Sequence, residues 1–243
     1  MFRCGSSSLG AFWRARLAPD ACLGRHVTAG VLVLIVTVAG FWLIAEKTFA
    51  ADAPEGLDLE LLHGLRAQAT PAITQFMRLV SQLHSTAGIA GLGLLAALYA
   101  ARLKAWDWLL TLVLTVPAGM LFNRFLKEVF QRTRPVLDGA LPVLDSYSFP
   151  SGHTAAATLL YGVLAAWLVC RVASWRWRLF IVLMAMALVA LVGLSRIYLG
   201  EHYPSDVLAA TVASSGFLAL SLAALGTWRR RRTIPRSIDP LIR

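Results

Sequence analysis

Apolar runs of about 16–20 residues recur along this chain, among them VTAGVLVLIVTVAGFWLIAE from Val27, LFIVLMAMALVALVGL from Leu179 and VLAATVASSGFLALSLAALG from Val207. A run of that length, wound as a helix, matches a hydrocarbon core roughly 30 Å thick. Inside lipid every backbone N–H and C=O needs a partner within the protein, which leaves helices and closed barrels. The runs are continuous rather than alternating, so they exclude a barrel. The sequence predicts an all-α fold, a polytopic bundle of membrane helices. At 58% hydrophobic residues and a mean hydropathy of +0.65, the 243-residue chain is also more apolar than a water-soluble domain requires.

Six spans are predicted, at about residues 27–46, 86–101, 106–122, 154–170, 179–194 and 205–226. Pro117 should kink the third. Gly88, Gly91 and Gly93 should let the second pack closely on a neighbour. The tail ahead of the first run is long and the run exceeds a usual signal core, so an uncleaved first span is expected despite the small residues of TFAADA. Between the first two spans, Leu57, Leu61, Leu62 and Leu65 share one helical face. Ile73, Phe76, Met77, Val80 and Leu83 repeat the pattern. These are two short amphipathic helices, lying at the membrane surface or packed on the bundle. The chain thus divides into a basic tail at 1–26, a six-helix domain at 27–226 and a second basic tail at 227–243.

A net charge of +10 invites a nucleic-acid reading, but the basic residues sit in short turns between apolar runs and in the tail WRRRR. That distribution follows the positive-inside rule and argues against nucleic acid. Six spans put both termini on one side, and most of the 23 Lys and Arg gather there, so that side is expected to be cytoplasmic. In a bacterium the polar stretches would then face the periplasm from the inner (plasma) membrane. Cys4, Cys22 and Cys170 form no CxxC pair and fall on the cytoplasmic side, where thiols stay reduced.

Three clusters of polar residues emerge on the opposite face. KEVFQRTRP holds Lys127 and Arg134, PSGH holds Ser151, Gly152 and His153, and SRIYLGEHYPSD holds Arg196, His202 and Asp206. Cations outnumber carboxylates and histidines are present, a balance suited to an anion that undergoes proton transfer. Phosphate fits. Arg134 and Arg196 can each grip two oxygens in a planar fork, and Lys127 adds a point charge. Ser151 and Gly152 precede an apolar helix whose free N–H groups and dipole attract an anion, Ser151 also serving as a cap. His202 and Asp206 lie one helical turn apart, with Pro204 suited to the first turn of the sixth helix. A carboxylate on one imidazole nitrogen leaves the other free to attack, and His153 is available as general acid and then base. A metal held by His153, His202 and Asp206 is the competing reading. The surrounding Lys and Arg would repel a cation, and no HExxH is present.

Taken together, Lys127 with Arg134–Pro135, PSGH, and Ser195–Arg196 with His202 and Asp206 resemble the three-part signature of the type 2 phosphatidic acid phosphatase (PAP2) family. The resemblance extends over about residues 27–226 and points to the integral-membrane lipid phosphatase branch. It implies that His202 is the nucleophile forming a phosphohistidine, that Asp206 orients it and that His153 protonates the leaving alcohol. It also implies that Lys127, Arg134, Ser151, Gly152 and Arg196 hold the phosphoryl oxygens, with no metal or organic cofactor. The expected substrates are membrane lipid phosphates or pyrophosphates: undecaprenyl pyrophosphate, phosphatidylglycerol phosphate or phosphatidic acid. A phosphotransferase passing the group to another lipid, or a non-catalytic lipid-binding protein, are the alternatives.

Overall fold

The structure, a computed structural model, describes residues 22–50, 55–135 and 146–233. The N-terminal tail with Arg3, Arg14, Arg16 and Cys4, and the C-terminal residues 234–243, lie outside these, as do the side chains of Cys22 and Arg25. The described residues form eight helices: α1 (Cys22–Phe49), α2 (Glu55–Ala67), α3 (Pro71–Leu83), α4 (Thr86–Arg102), α5 (Trp106–Phe130), α6 (Gly152–Arg171), α7 (Trp175–Tyr198) and α8 (Pro204–Thr233). No strand occurs among them.

Five helices are long and apolar enough to cross a membrane: α1, α5, α6, α7 and α8. A sixth crossing is available to α3 and α4 together, a bent pair in which the 17-residue α4 joins α3 through a 59° bend. The bend has a local cause. Thr70 caps the start of α3 and Pro71 opens it, while Ser85 begins α4 afresh by accepting from the Gly88 N–H at 3.2 Å. A Cβ at Gly88 would lie 2.0 Å from the Leu83 carbonyl oxygen, so the turn demands glycine. His84 fixes the corner to the bundle, its ring bonding the Val80 carbonyl at 2.7 Å and the Tyr161 hydroxyl at 2.6 Å.

Two expectations change here. Gly91 and Gly93 face open space, and Gly88 serves the turn, so none of the three provides close helix packing. That role falls to glycines on other helices: Gly119 lies against Leu159, Gly162 against Leu218 and Gly193 against Val207. Second, α5 runs through Pro117 to Phe130, whereas hydropathy alone would end it near residue 122. Asn123 and Leu126 are buried in this last part, so packing on α6 sustains the helix beyond the apolar run. Likewise α8 continues past Gly226 through the basic segment to Thr233.

Helix α6 is the hub. Half of its apolar window is buried, and it packs on α5, α7 and α8 through Ala155, Ala156, Ala157, Leu159, Leu160 and Val163. The amphipathic pair is docked rather than detached: Leu62 of α2 and Met77 and Val80 of α3 are buried, and both helices touch α7. Their other apolar flank, with Leu57, Leu61, Phe76 and Leu79, stays exposed, as a helix half in protein and half in lipid would have it. An apolar groove of about 890 Å³ between α6, α7 and α8 carries no ionisable residue. At the far end, Arg229 bonds the Asp107 carbonyl and the Thr111 hydroxyl and sits 4.6 Å over the Trp108 ring. Cys170 is free and exposed at the same end.

Candidate active site

All three polar clusters meet at the end of the bundle where α5 stops and α6 and α8 begin. Each arrives there for a legible reason. Helix α7 ends in a Schellman turn: Gly200, at φ 74°, donates to the Ile197 carbonyl at 2.9 Å, and Glu201 donates to the Arg196 carbonyl at 3.1 Å. Only glycine takes that φ without strain, and it folds the chain back so that His202 points into the bundle. Pro204 opens α8, and the Asp206 carboxylate reaches back to accept the Tyr203 N–H at 2.9 Å. The loop before α6 is anchored by Phe149, fully buried among Phe41, Phe49 and Phe130 with ring centroids 5.1–5.7 Å apart. With Phe149 locked, Ser148 and Ser151 on either side of it are forced inward, and both are fully buried.

His202 Nδ1 lies 3.3 Å from Asp206 Oδ2. The carboxylate accepts, so Nδ1 carries the hydrogen and Nε2 keeps its lone pair. Nε2 faces the Arg134 guanidinium at 3.4 Å. Asp206, with no exposed surface, is held from every side: Ser148 donates to Oδ2, and Arg132 pairs with Oδ1 at 2.7 Å. Arg132 also pairs with Asp58 of α2 at 2.9 Å and stacks 4.0 Å from the Tyr203 ring. Asp58 in turn accepts from the Ser205 N–H at 3.0 Å.

The predicted phosphate-holding residues surround this dyad. Lys127, near the end of α5, donates to the carbonyls of Tyr147 and Ser148, and its Cε lies 3.9 Å from where a Gly152 Cβ would be. Arg134 donates to the Ser146 carbonyl and hydroxyl and to the Glu201 carbonyl at 2.8–2.9 Å, bridging two loops beside Nε2. Arg196 is buried, paired with Glu201 and bonded to Ser81, while its Nε has no hydrogen-bond partner. That unmatched buried donor is a position an oxyanion could satisfy. His153 sits half-buried in the first turn of α6, within electrostatic range of Arg196, His202 and Arg134.

Ser151 departs from expectation. It occupies the N-cap position of α6 but makes no side-chain cap bond; its hydroxyl accepts from Thr154 at 3.1 Å. Its N–H is also committed, donating to the Asp206 carbonyl at 3.1 Å. Anion attraction at this terminus therefore rests on the first N–H groups of α6 from Gly152 onward, which lack intrahelical acceptors. Five supporting residues escaped sequence reasoning: Arg132, Ser148, Glu201, Asp58 and Ser81. Arg132 and Glu201 stood inside the quoted motifs, but nothing local marked their partners.

The electrostatics favour a neutral imidazole. Burial drives the His202 pKa down to about 4, against the opposing hydrogen bond and charge of Asp206 and with help from Arg134 and Lys127. Burial also lowers Arg134, opposed by Asp206. Burial alone would lower Arg132 as well, yet Asp206 and Asp58 raise it above the ordinary arginine value. A histidine depressed in this way is neutral in the fold at pH values where the unfolded chain binds a proton. It costs no stability above about pH 6.5 and costs progressively more as the pH falls towards 4. In ¹⁵N-histidine-labelled protein in detergent at pH 5.5, the resonances lost in His202→Ala should show the neutral-ring pattern. A titration midpoint near 6.5 for those signals would show that burial does not depress the ring.

A cavity of about 700 Å³ adjoins the cage, opening between the start of α4, the second half of α5 and the start of α6. Lys127 and Gly152 lie on its wall, as do Asn123, Arg124, Ser146 and Tyr147. The far side is apolar, formed by Pro117, Met120 and Leu121.

Comparison with known proteins places the fold in a family. Residues 108–231 match the model of the PAP2 superfamily. Phosphatidylglycerophosphatase B of Bacillus subtilis (strain 168) is 31% identical over 171 residues, 69% of this chain and 83% of that protein. The crystal structure of a transmembrane PAP2-type phosphatidylglycerolphosphate phosphatase from Bacillus subtilis superimposes with a TM-score of 0.70 at 26% identity, covering 84% of this chain and 98% of that one. Aquifex aeolicus LpxE shares the fold at a TM-score of 0.52 and 23% identity, over 68% of this chain and 95% of that one. The chain belongs to the PAP2 superfamily, among its membrane-embedded lipid phosphatases.

Proposed function

We propose that the chain removes phosphate from a lipid phosphate or diphosphate at the outer face of a bacterial plasma membrane, through a phosphohistidine on His202. The observation that carries this reading is the His202–Asp206 pair at 3.3 Å with Nε2 turned to the Arg134 guanidinium. Nε2 attacks phosphorus in line with the leaving oxygen. As the N–P bond forms, the P–O bond to the lipid breaks and His153 gives its proton to the departing oxygen. His153 then takes a proton from water as that water attacks phosphorus. The P–N bond breaks, phosphate leaves and neutral His202 is restored. Lys127, Arg134, the Arg196 Nε and the N-terminus of α6 neutralise the charge that builds on the equatorial oxygens, the role magnesium has in kinases.

Orientation is supported by charge. Arg102, Lys104, Arg171, Arg176 and Arg178 all lie at the end of the bundle opposite His202, and by the positive-inside rule their charge supports reading that end as the cytoplasmic one. Undecaprenyl diphosphate, phosphatidylglycerol phosphate and phosphatidic acid are the candidate substrates, and the Bacillus relatives favour the second.

The purified protein should release inorganic phosphate from at least one of these lipids in mixed micelles containing excess EDTA. Activity that appears only on adding magnesium would overturn the role given to the three cations. An acceptor lipid included in the assay separates hydrolysis from transfer: phosphorylated acceptor in place of free phosphate would make the chain a phosphotransferase.

A further inference from the structure

We infer that Arg124 forms a second anion subsite, which binds a phosphoryl group lying between the scissile phosphate and the lipid tail. This rests on the lipid-phosphatase reading above and names the substrate class within it. Arg124 is on α5, three residues before Lys127 and so about 4.5 Å further from the site end along the helix axis. Both residues line the 700 Å³ cavity that touches Gly152 at the start of α6. Arg124 is exposed and makes no hydrogen bond or ion pair within the described residues. Glu128 lies one turn on and also lines the wall, yet no ion pair joins the two, so the guanidinium charge is not neutralised there.

A charged side chain within a membrane helix is costly, and it is retained where it faces a polar cavity or a ligand. Snorkelling to the interface is the bland explanation for an arginine in this part of α5. It does not account for the order of groups along the cavity wall. From the site end inward the wall offers Lys127, then Arg124 and Asn123, then Met120, Leu121 and Pro117. Leu121 is 69% exposed, so this end is open to the bilayer. Cation, second cation, apolar exit is the mirror of a lipid carrying two phosphoryl groups before its tail. A lipid diphosphate has them adjacent, and phosphatidylglycerol phosphate has them separated by a glycerol. Phosphatidic acid has only one.

The test compares kcat/KM for undecaprenyl diphosphate, phosphatidylglycerol phosphate and phosphatidic acid in wild type, Arg124→Gln, Arg124→Lys and Arg78→Gln. Arg78 is an exposed cation of α3 outside the cavity and controls for general attraction of anionic lipids. In Arg124→Gln the preference for one or both two-phosphate lipids over phosphatidic acid should fall about tenfold or more, the value of one charged hydrogen bond. Arg124→Lys should keep part of the preference and Arg78→Gln all of it. Whichever two-phosphate lipid loses more identifies the spacing that the subsite reads. As a second readout, inhibition by methylenediphosphonate relative to inorganic phosphate should weaken in Arg124→Gln. An unchanged preference in Arg124→Gln, or an equal loss in Arg78→Gln, would overturn the subsite and leave the phosphatase reading standing. Wild-type protein that hydrolyses none of the three lipids would overturn both.

Discussion

Replacing His202 with alanine is expected to lower phosphate release by on the order of 10⁴-fold or more while leaving membrane insertion intact. The size of the effect follows from what remains. Lys127, Arg134, Arg196 and the start of α6 would still attract the phosphate, but the nitrogen that faces Arg134 and attacks phosphorus would be gone. Binding without attack gives only the residual rate that charge stabilisation confers on water. His202 is 1% exposed, so alanine also leaves a cavity. His202→Gln fills most of that space and keeps a polar head beside Asp206, yet it cannot form the phosphoramidate. Both variants should therefore be inactive, with His202→Gln closer to wild type in thermal stability. Wild-type protein quenched during turnover should carry acid-labile, base-stable phosphate that both variants lack. More than about 1% of wild-type activity in His202→Gln would remove His202 as the nucleophile.

How much of this was legible in the sequence depends on the distance over which each feature is determined. The six crossings follow from runs of apolar residues, a signal contained within each segment. The His202–Asp206 pair is one turn of a helix whose start Pro204 marks, so its geometry follows from spacing alone. Helix ends were less legible, because burial rather than hydropathy decides them. Asn123 and Lys127 share a face of α5 that packs towards α6, and the helix persists through residues that read as polar loop. The glycines of α4 misled for the same reason: spacing shows that a close approach is possible, not that a neighbour is there.

The supporting polar network was out of reach for a different reason. Arg132 pairs with residues 74 positions away on both sides, and Arg196 bonds Ser81 from 115 positions away. No periodicity connects such partners. KEVFQRTRP displays three cations, and a plain reading treats Arg132 as one more interfacial charge. Only the fold reveals that it stands between Asp58 and Asp206. One clue was available in retrospect: a carboxylate placed to orient a histidine in a buried site needs a countercharge of its own.

That requirement predicts a large stability effect. Arg132→Ala should destabilise the fold by roughly 3–5 kcal/mol, because it strips the cation from a carboxylate with no exposed surface. Arg132 is 15% exposed and its second partner Asp58 is 16% exposed, so water can reach the Asp58 end and lessen that part of the loss. Asp58→Asn should accordingly cost much less than Arg132→Ala. The decisive comparison is a double-mutant cycle with Asp206→Asn. If Arg132 acts by compensating buried charge, the neutral amide that replaces the carboxylate no longer needs it, and Arg132→Ala should cost far less stability in that background. If it acts by packing against the Tyr203 ring, the cost should be the same in both backgrounds. Thermal unfolding in one detergent at pH 7 measures all four proteins. Activity adds an independent reading: Asp206→Asn disturbs the tautomer that leaves the His202 Nε2 lone pair free, so the double variant should recover stability and remain inactive. Equal destabilisation by Arg132→Ala in the two backgrounds would show that the guanidinium is a packing element and that Ser148, the Tyr203 N–H and His202 hold Asp206 without it.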